Sequence, residues 1–244
     1  MQIWQLDLRQ PRGLIETGAA AVLAPAEAER RPAQPARAWR RRAVARLGLR
    51  IAMGRHLGLS PDTLQFELGP AGKPSLPGSP PPCWFSTSRS GEVCLIAISD
   101  RGPVGIDLEE TRDFPRLRRL AERRFLPSEA AAILELEGEE RLLAFYRCWT
   151  RKEAVLKATG TGLAAGLDSV EVTTGPEAVI LAPAAAAARW SLGEVSIGAG
   201  FAAALAWSGA PGEGGHSQPR VRELDLRLSA QAGSPPASAS PARR

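Results

Sequence analysis

Two stretches decide how this chain is read. They are Pro103-Val104-Gly105-Ile106-Asp107-Leu108-Glu109-Glu110 and Trp149-Thr150-Arg151-Lys152-Glu153-Ala154-Val155-Leu156-Lys157. In the first, Val104, Ile106 and Leu108 alternate with Gly105, Asp107 and Glu109, the period of a strand. Side chains two apart on a strand share a face, so Asp107 and Glu109 project side by side. Two carboxylates that close repel unless a proton or a cation intervenes. The second stretch reads as a helix on which Trp149, Lys152, Glu153 and Leu156 form one stripe and Glu153 lies one turn from Lys157. A carboxylate and lysines on a helix, facing paired carboxylates on a strand, suit a magnesium–phosphate site. The acids supply hard oxygen ligands, substrate phosphates and water complete the octahedron, and the lysines neutralise the remaining charge.

Working outward, 244 residues with 44% hydrophobic and 23% charged residues suffice for a globular core. The net charge of +5 suits an anionic partner, such as a phosphorylated cofactor, an acidic protein or a nucleic acid. Cys83, Cys94 and Cys148 form no C-x-x-C pair, and His56 and His216 are the sole histidines, which excludes a zinc site. The odd cysteine count points to a reducing, cytoplasmic setting. No signal peptide is expected, and no apolar run approaches the roughly 18–20 residues of a membrane span.

Along the chain, residues 3–8 read as a strand with a turn at 10–13, and 23–31 as a short helix. A long helix spans 37–58, carrying an arginine series that includes Arg46 and Arg50. Strands are expected at 63–68, 84–91, 92–98 and 103–110. Helical pattern resumes at 114–124, then from Leu126, with Ser128 as cap, and over 139–158, which Gly160 ends. Short strands follow at 170–172, 178–181, 190–192, 195–197 and 201–207, with an alanine-rich connector at 182–188. Residues 221–228 alternate, and 229–244 have the composition of a disordered tail. The arginine-rich helix lacks the second helix or the aromatic platform that nucleic-acid readers carry, so no nucleic-acid partner is expected.

V-G-I-D followed by W-T-x-K-E-A-x-x-K resembles the signature pair of the 4′-phosphopantetheinyl transferases. The spelling G-I-D-L-E and the length are similar to the larger, surfactin-synthetase-activating type. Arg46 and Arg50 resemble the family's R-x-x-x-R, Gly72-Lys73-Pro74 its G-K-P loop, and Phe85-Ser86-Thr87-Ser88-Arg89-Ser90 its F-N-x-S-H-S element. Two positions depart, Ser86 for Asn and Arg89 for His.

The resemblance implies an α+β fold of two similar α/β lobes about a pseudo-twofold axis, with the cofactor cleft between them. The lobes would be residues 1–100 and 101–208, with a tail at 209–244. It implies an enzyme, expected to be monomeric, that moves the 4′-phosphopantetheine group from coenzyme A to a serine of an apo acyl or peptidyl carrier protein. Adenosine 3′,5′-bisphosphate would be released. Mg²⁺ would be held by Asp107, Glu109 and Glu153. Glu153 is the candidate base, directly or through a metal-bound water, with Glu129 a helper. Lys157 would serve the pyrophosphate and Lys152 assist with phosphate charge. Arg46, Lys73, Ser88 and Arg89, with Arg30, would hold coenzyme A. Arg112, Arg116, Arg118, Arg119, Arg123 and Arg124 would meet an acidic carrier. The rivals are a non-catalytic coenzyme A or carrier-protein binder and another Mg²⁺-dependent phosphotransfer enzyme.

Overall fold

A computed structural model describes residues 1–10, 36–69, 73–162, 166–209 and 220–226. The expected helix over 23–31 with Arg30, Gly72 and the tail from 229 lie outside the described residues. So does most of the turn at 10–13.

The amino-terminal half is an antiparallel sheet under one long helix. Strand β1 (Gln2–Asp7) pairs with β5 (Val93–Ser99), and β5 with β4 (Trp84–Ser90). Helix α1 (Ala36–Leu57) packs on this sheet through Val44, Leu47, Ile51 and Met53, all buried with Leu6, Ile96 and Ile98. Arg50 is buried too, where it donates to the carbonyls of Pro61 and Leu64. The expected strand at 63–68 shrinks to β2 (Glu67–Leu68), which pairs with β3 (Pro74–Ser75), because residues 61–63 form a 3₁₀ turn.

The second half repeats this layout. Strand β6 (Val104–Glu110) is followed by α2 (Leu117–Arg124), α3 (Pro127–Leu134) and the long α4 (Gly138–Thr159). Helix α3 starts on Pro127, and the Ser128 hydroxyl bonds Glu171 instead of capping it. Gly160 ends α4 in the left-handed region, as expected. The short strands β7 (Glu171–Val172) and β8 (Ile180–Ala182) pair with each other. A short helix α5 (Ala184–Ala187) replaces the expected connector. Strand β9 (Trp190–Glu194) is a single strand, and no strand covers 195–197. Strand β10 (Phe201–Ser208) pairs antiparallel with both β6 and β9.

One element returns across the molecule. Strand β11 (Val221–Glu223) joins the edge of the amino-terminal sheet, parallel to β1, and Leu224 and Leu226 are buried in that half's core. The alternating segment near the carboxyl terminus therefore belongs structurally to the first half. No helix among the described residues is long and apolar enough to cross a membrane. The three cysteines are buried and unpaired, and burial pushes the Cys83 thiol up to about 11.

Candidate active site at the seam between β4, β6 and α4

Strand β6 shows two chemically different faces. Val104, Ile106 and Leu108 are fully buried between the sheets with Ile3, Leu95 and Leu205. On the opposite face stand Gly105, Asp107 and Glu109. Their register partners on β10 are Ala206, Ala204 and Ala202, small residues that leave room for α4 above. At Gly105 the helix comes so close that an added Cβ would sit 2.0 Å from the Ala154 carbonyl oxygen and 2.4 Å from the Ala158 nitrogen. The glycine of the V-G-I-D motif is thus the point where strand and helix touch backbone to backbone.

That contact brings the two motifs together. Lys157 Nζ lies 2.6 Å from Asp107 Oδ1 and also donates to the Ile106 carbonyl and to Ser88 Oγ. Ser88 Oγ donates to the same Asp107 oxygen at 2.8 Å. The other oxygen, Asp107 Oδ2, is buried without a hydrogen-bond partner. A buried carboxylate oxygen left bare is costly and calls for a cation or donor from outside the chain. Glu109 accepts from Ser90 Oγ at 2.8 Å. Burial above all, then the charge of Asp107, raises the Glu109 carboxyl above its ordinary value against the Ser90 bond. Glu153 is raised for the same reasons, burial first and then Asp107 and Glu109, with Lys157 opposing. The three acids therefore share one electrostatic neighbourhood. Among the described residues, no three acidic, histidine or cysteine side chains are gathered as a ready-made metal cage.

Three serines line this seam; Ser88 was expected to hold coenzyme A, whereas Ser86 and Ser90 were missed as functional residues. Ser86, Ser88 and Ser90 alternate along β4 and so point one way. Ser86 Oγ accepts from the Ile106 amide at 3.1 Å. Ser90 Oγ accepts from the Glu110 amide while donating to Glu109. Serine hydroxyls thus satisfy the edge of β6 where a neighbouring strand would have done so. The period-two serines and the strand at 103–110 were each visible in the sequence, whereas their lying side by side was not.

A cleft of about 270 Å³ opens beside the seam. Lys73, Pro74 and Phe85 stand on its amino-terminal side and Glu153, Leu156 and Lys157 on its α4 side. The Lys73 ammonium donates to the carbonyls of Val104 (2.9 Å) and Lys157 (2.5 Å). Burial, then the Lys157 charge, lowers its pKa to about 8. Arg89 is surface-accessible yet lies among guanidiniums. Partial burial and the charges of Arg42, Arg41 and Arg46 lower its pKa. A cluster of like charges of this kind suits a multiply charged anion.

Two expected site residues belong elsewhere. Lys152 is fully buried. Its ammonium bonds the carbonyls of Leu167 (2.8 Å) and Val170 (2.5 Å), pairs with Glu129 at 2.5 Å, and lies over the Phe125 ring. The Lys152 side chain is 0% exposed, against 27% for Lys157, so its ammonium cannot reach a phosphate in the cleft. Glu129 in turn accepts from the amides of Leu126 and Val172, holding the start of α3 against β7. The reason is angular, since neighbours on a helix point about 100° apart and Lys152 cannot share Glu153's direction. The stripe that faces the cleft is Glu153, Leu156, Lys157 and Gly160, whereas Trp149 packs on Phe125 and Phe145.

Comparison with known proteins gives these motifs a family. Residues 103–206 match the model of the 4′-phosphopantetheinyl transferase superfamily. A relative from Synechocystis sp. is 45% identical over 129 residues, 51% of each chain. The 4′-phosphopantetheinyl transferase Sfp of Bacillus subtilis is 33% identical over 51% of this chain and 54% of its own. The chain thus spans about half the length of these two relatives. The 4′-phosphopantetheinyl transferase HetI of Nostoc sp. is 35% identical over 215 residues, 86% of this chain and 88% of its own. With nearly all of HetI matched, and both motifs meeting at one seam, the chain belongs to the 4′-phosphopantetheinyl transferase superfamily.

Proposed function

We propose that this protein transfers the 4′-phosphopantetheine group of coenzyme A to a serine hydroxyl of an acyl or peptidyl carrier protein, releasing adenosine 3′,5′-bisphosphate. The observation that carries the reading is the meeting of Asp107, Glu153 and Lys157 beside one cleft, with the bare Asp107 Oδ2 buried among them. The chain's two halves would grip coenzyme A between them.

The donor set fits a hard divalent ion. Magnesium takes hard oxygen ligands, carboxylates together with substrate phosphates and water, and the bare buried Asp107 Oδ2 is such a ligand. Asp107, Glu109 and Glu153 would hold it, and when bound it would neutralise charge on the pyrophosphate. The chain's own groups do the rest. Lys157 orients the pyrophosphate and takes up charge on the departing phosphate. Glu153, whose raised pKa brings it nearer neutrality, accepts the proton of the attacking serine. Arg46 and Arg89, with Arg41 and Arg42 beside them, bind the dianionic 3′-phosphate. The exposed Arg116, Arg118, Arg119, Arg123 and Arg124 on and beside α2 meet an acidic carrier protein.

The test is direct. Protein, coenzyme A, Mg²⁺ and a generic apo carrier should yield a carrier heavier by one phosphopantetheine. Asp107→Ala and Glu153→Ala should each lose nearly all of the rate, and full activity in either discards the assigned roles. Reversing charge at Arg118 and Arg119 should raise KM for carrier and spare that for coenzyme A. An unchanged carrier KM removes α2 from the docking surface.

A further inference from the structure

We propose that Lys73 is a positioning residue. Reaching over from the amino-terminal half, it caps the carboxyl end of α4 and so sets where Lys157 stands relative to Asp107. The inference deepens the transferase reading and rests on it for its kinetic consequence alone.

The last carbonyls of a helix have no partner inside it. At the end of α4, the Leu156 carbonyl is met locally by the amides of Gly160 and Gly162 and by the Thr159 hydroxyl. The Lys157 carbonyl is met instead by the Lys73 ammonium, at 2.5 Å. The cap is thus a cation from a residue far away in sequence, placed at the negative end of the helix, where it is favoured. The same ammonium binds the Val104 carbonyl at the start of β6. One side chain therefore ties the last turn of the helix to the first residue of the strand.

The neighbouring rung repeats the pattern. Lys157 Nζ binds the Ile106 carbonyl, two residues further along β6, and from there reaches Asp107. Two ammoniums thus occupy successive outward carbonyls on one strand edge, one brought by the β2–β3 hairpin and one by α4. Lys73 itself is held by the short β2–β3 hairpin, where its own carbonyl accepts the Gly69 amide. Two of its three donors serve the protein, which is not how a residue kept only to grip a ligand would be used. Its burial lowers its proton affinity, so the charge costs global stability while it organises the site.

The experiment uses the full chain with Lys73→Met and Lys73→Arg, and with Lys73→Gln should the methionine variant not fold. Amide hydrogen exchange is followed without coenzyme A, and kcat and KM are measured separately. In Lys73→Met the amides of 158–160 should exchange roughly fivefold faster, as a lost cap of about 1 kcal/mol implies. The melting temperature should be unchanged or higher. The kcat should fall by about 10- to 100-fold, with KM for coenzyme A within about threefold. Lys73→Arg should restore part of the protection and the rate. Unchanged exchange, with a raised KM as the only kinetic effect, would make Lys73 a coenzyme A contact and overturn the proposal. If the unaltered chain transfers nothing, the transferase reading falls, and the exchange result still decides the cap.

Discussion

Replacing Gly105 by alanine tests the architecture of the site with a single methyl group. An added Cβ would lie 2.0 Å from the Ala154 oxygen, 2.4 Å from the Ala158 nitrogen and 3.0 Å from the Lys157 carbonyl carbon. All three are backbone atoms of α4, so no side chain can swing aside. Ordinary contact begins at 3.4 Å, which leaves the closest approach about 1.4 Å short. Strand β6 is held by a seven-pair register with β10 and by the serines of β4, so the helix must yield. A shift of even about 1 Å carries Glu153 and Lys157 with it and opens the 2.6 Å contact between Lys157 and Asp107. Overpacking of this kind costs about 1–3 kcal/mol, or a melting temperature lower by roughly 3–10 °C. Misplacing the catalytic groups by about 1 Å costs on the order of a hundredfold in rate. Thermal unfolding and the carrier mass-shift assay read the two effects separately. Gly175→Ala is the control, since nothing lies within 4 Å of its added Cβ. A Gly105→Ala protein with unchanged melting and rate would refute the claim that helix and strand meet at this residue.

The buried Lys152–Glu129 pair gives a second expectation. Lys152→Met leaves the Glu129 carboxylate buried without its cation and should cost about 3–5 kcal/mol in denaturant unfolding. A raised KM for coenzyme A at intact stability would instead return Lys152 to the cleft. Leu224→Ala and Leu226→Ala should each destabilise the protein by about 2–5 kcal/mol, since both side chains fill the amino-terminal core. Wild-type unfolding of both would mean that the returning strand contributes nothing. For pH, the Lys73 ammonium has a folded pKa of about 8, below its ordinary 10.5, so between those values the unfolded chain binds more protons. Stability contributed at this site therefore rises as pH climbs from about 8 to 10.5. Burial and the Lys157 charge together make this a change of about 3 kcal/mol across the window. Relative to Lys73→Met, the stability of the unaltered chain should rise by that amount across the window, and a constant difference would contradict the sign.

Much of this was legible because the two motifs carry their own periodicities. Alternation over 104–110 and the helical stripe ending at Gly160 define strand, helix and the side each acid takes, whatever surrounds them. What failed was decided by partners remote in sequence. Lys152 and Glu153 are adjacent, equally polar and both inside the motif, and only the carbonyls of Leu167 and Val170 with the Glu129 carboxylate draw one inward. The segment at 221–228 shows a strand's alternation, yet nothing local says that its partner is β1, at the other end of the chain. The serines of β4 look like a solvated face until β6 is laid beside them, when Ser86 and Ser90 each accept from a β6 amide that a missing strand would have paired. A strand edge satisfied by hydroxyls and ammoniums, not by another strand, stays open to a ligand. A paired edge would have closed the seam and buried the acids beyond reach of any phosphate. The seam therefore depends on a pattern that local propensity cannot supply, small polar residues set at period two against an edge that the rest of the fold leaves unpaired.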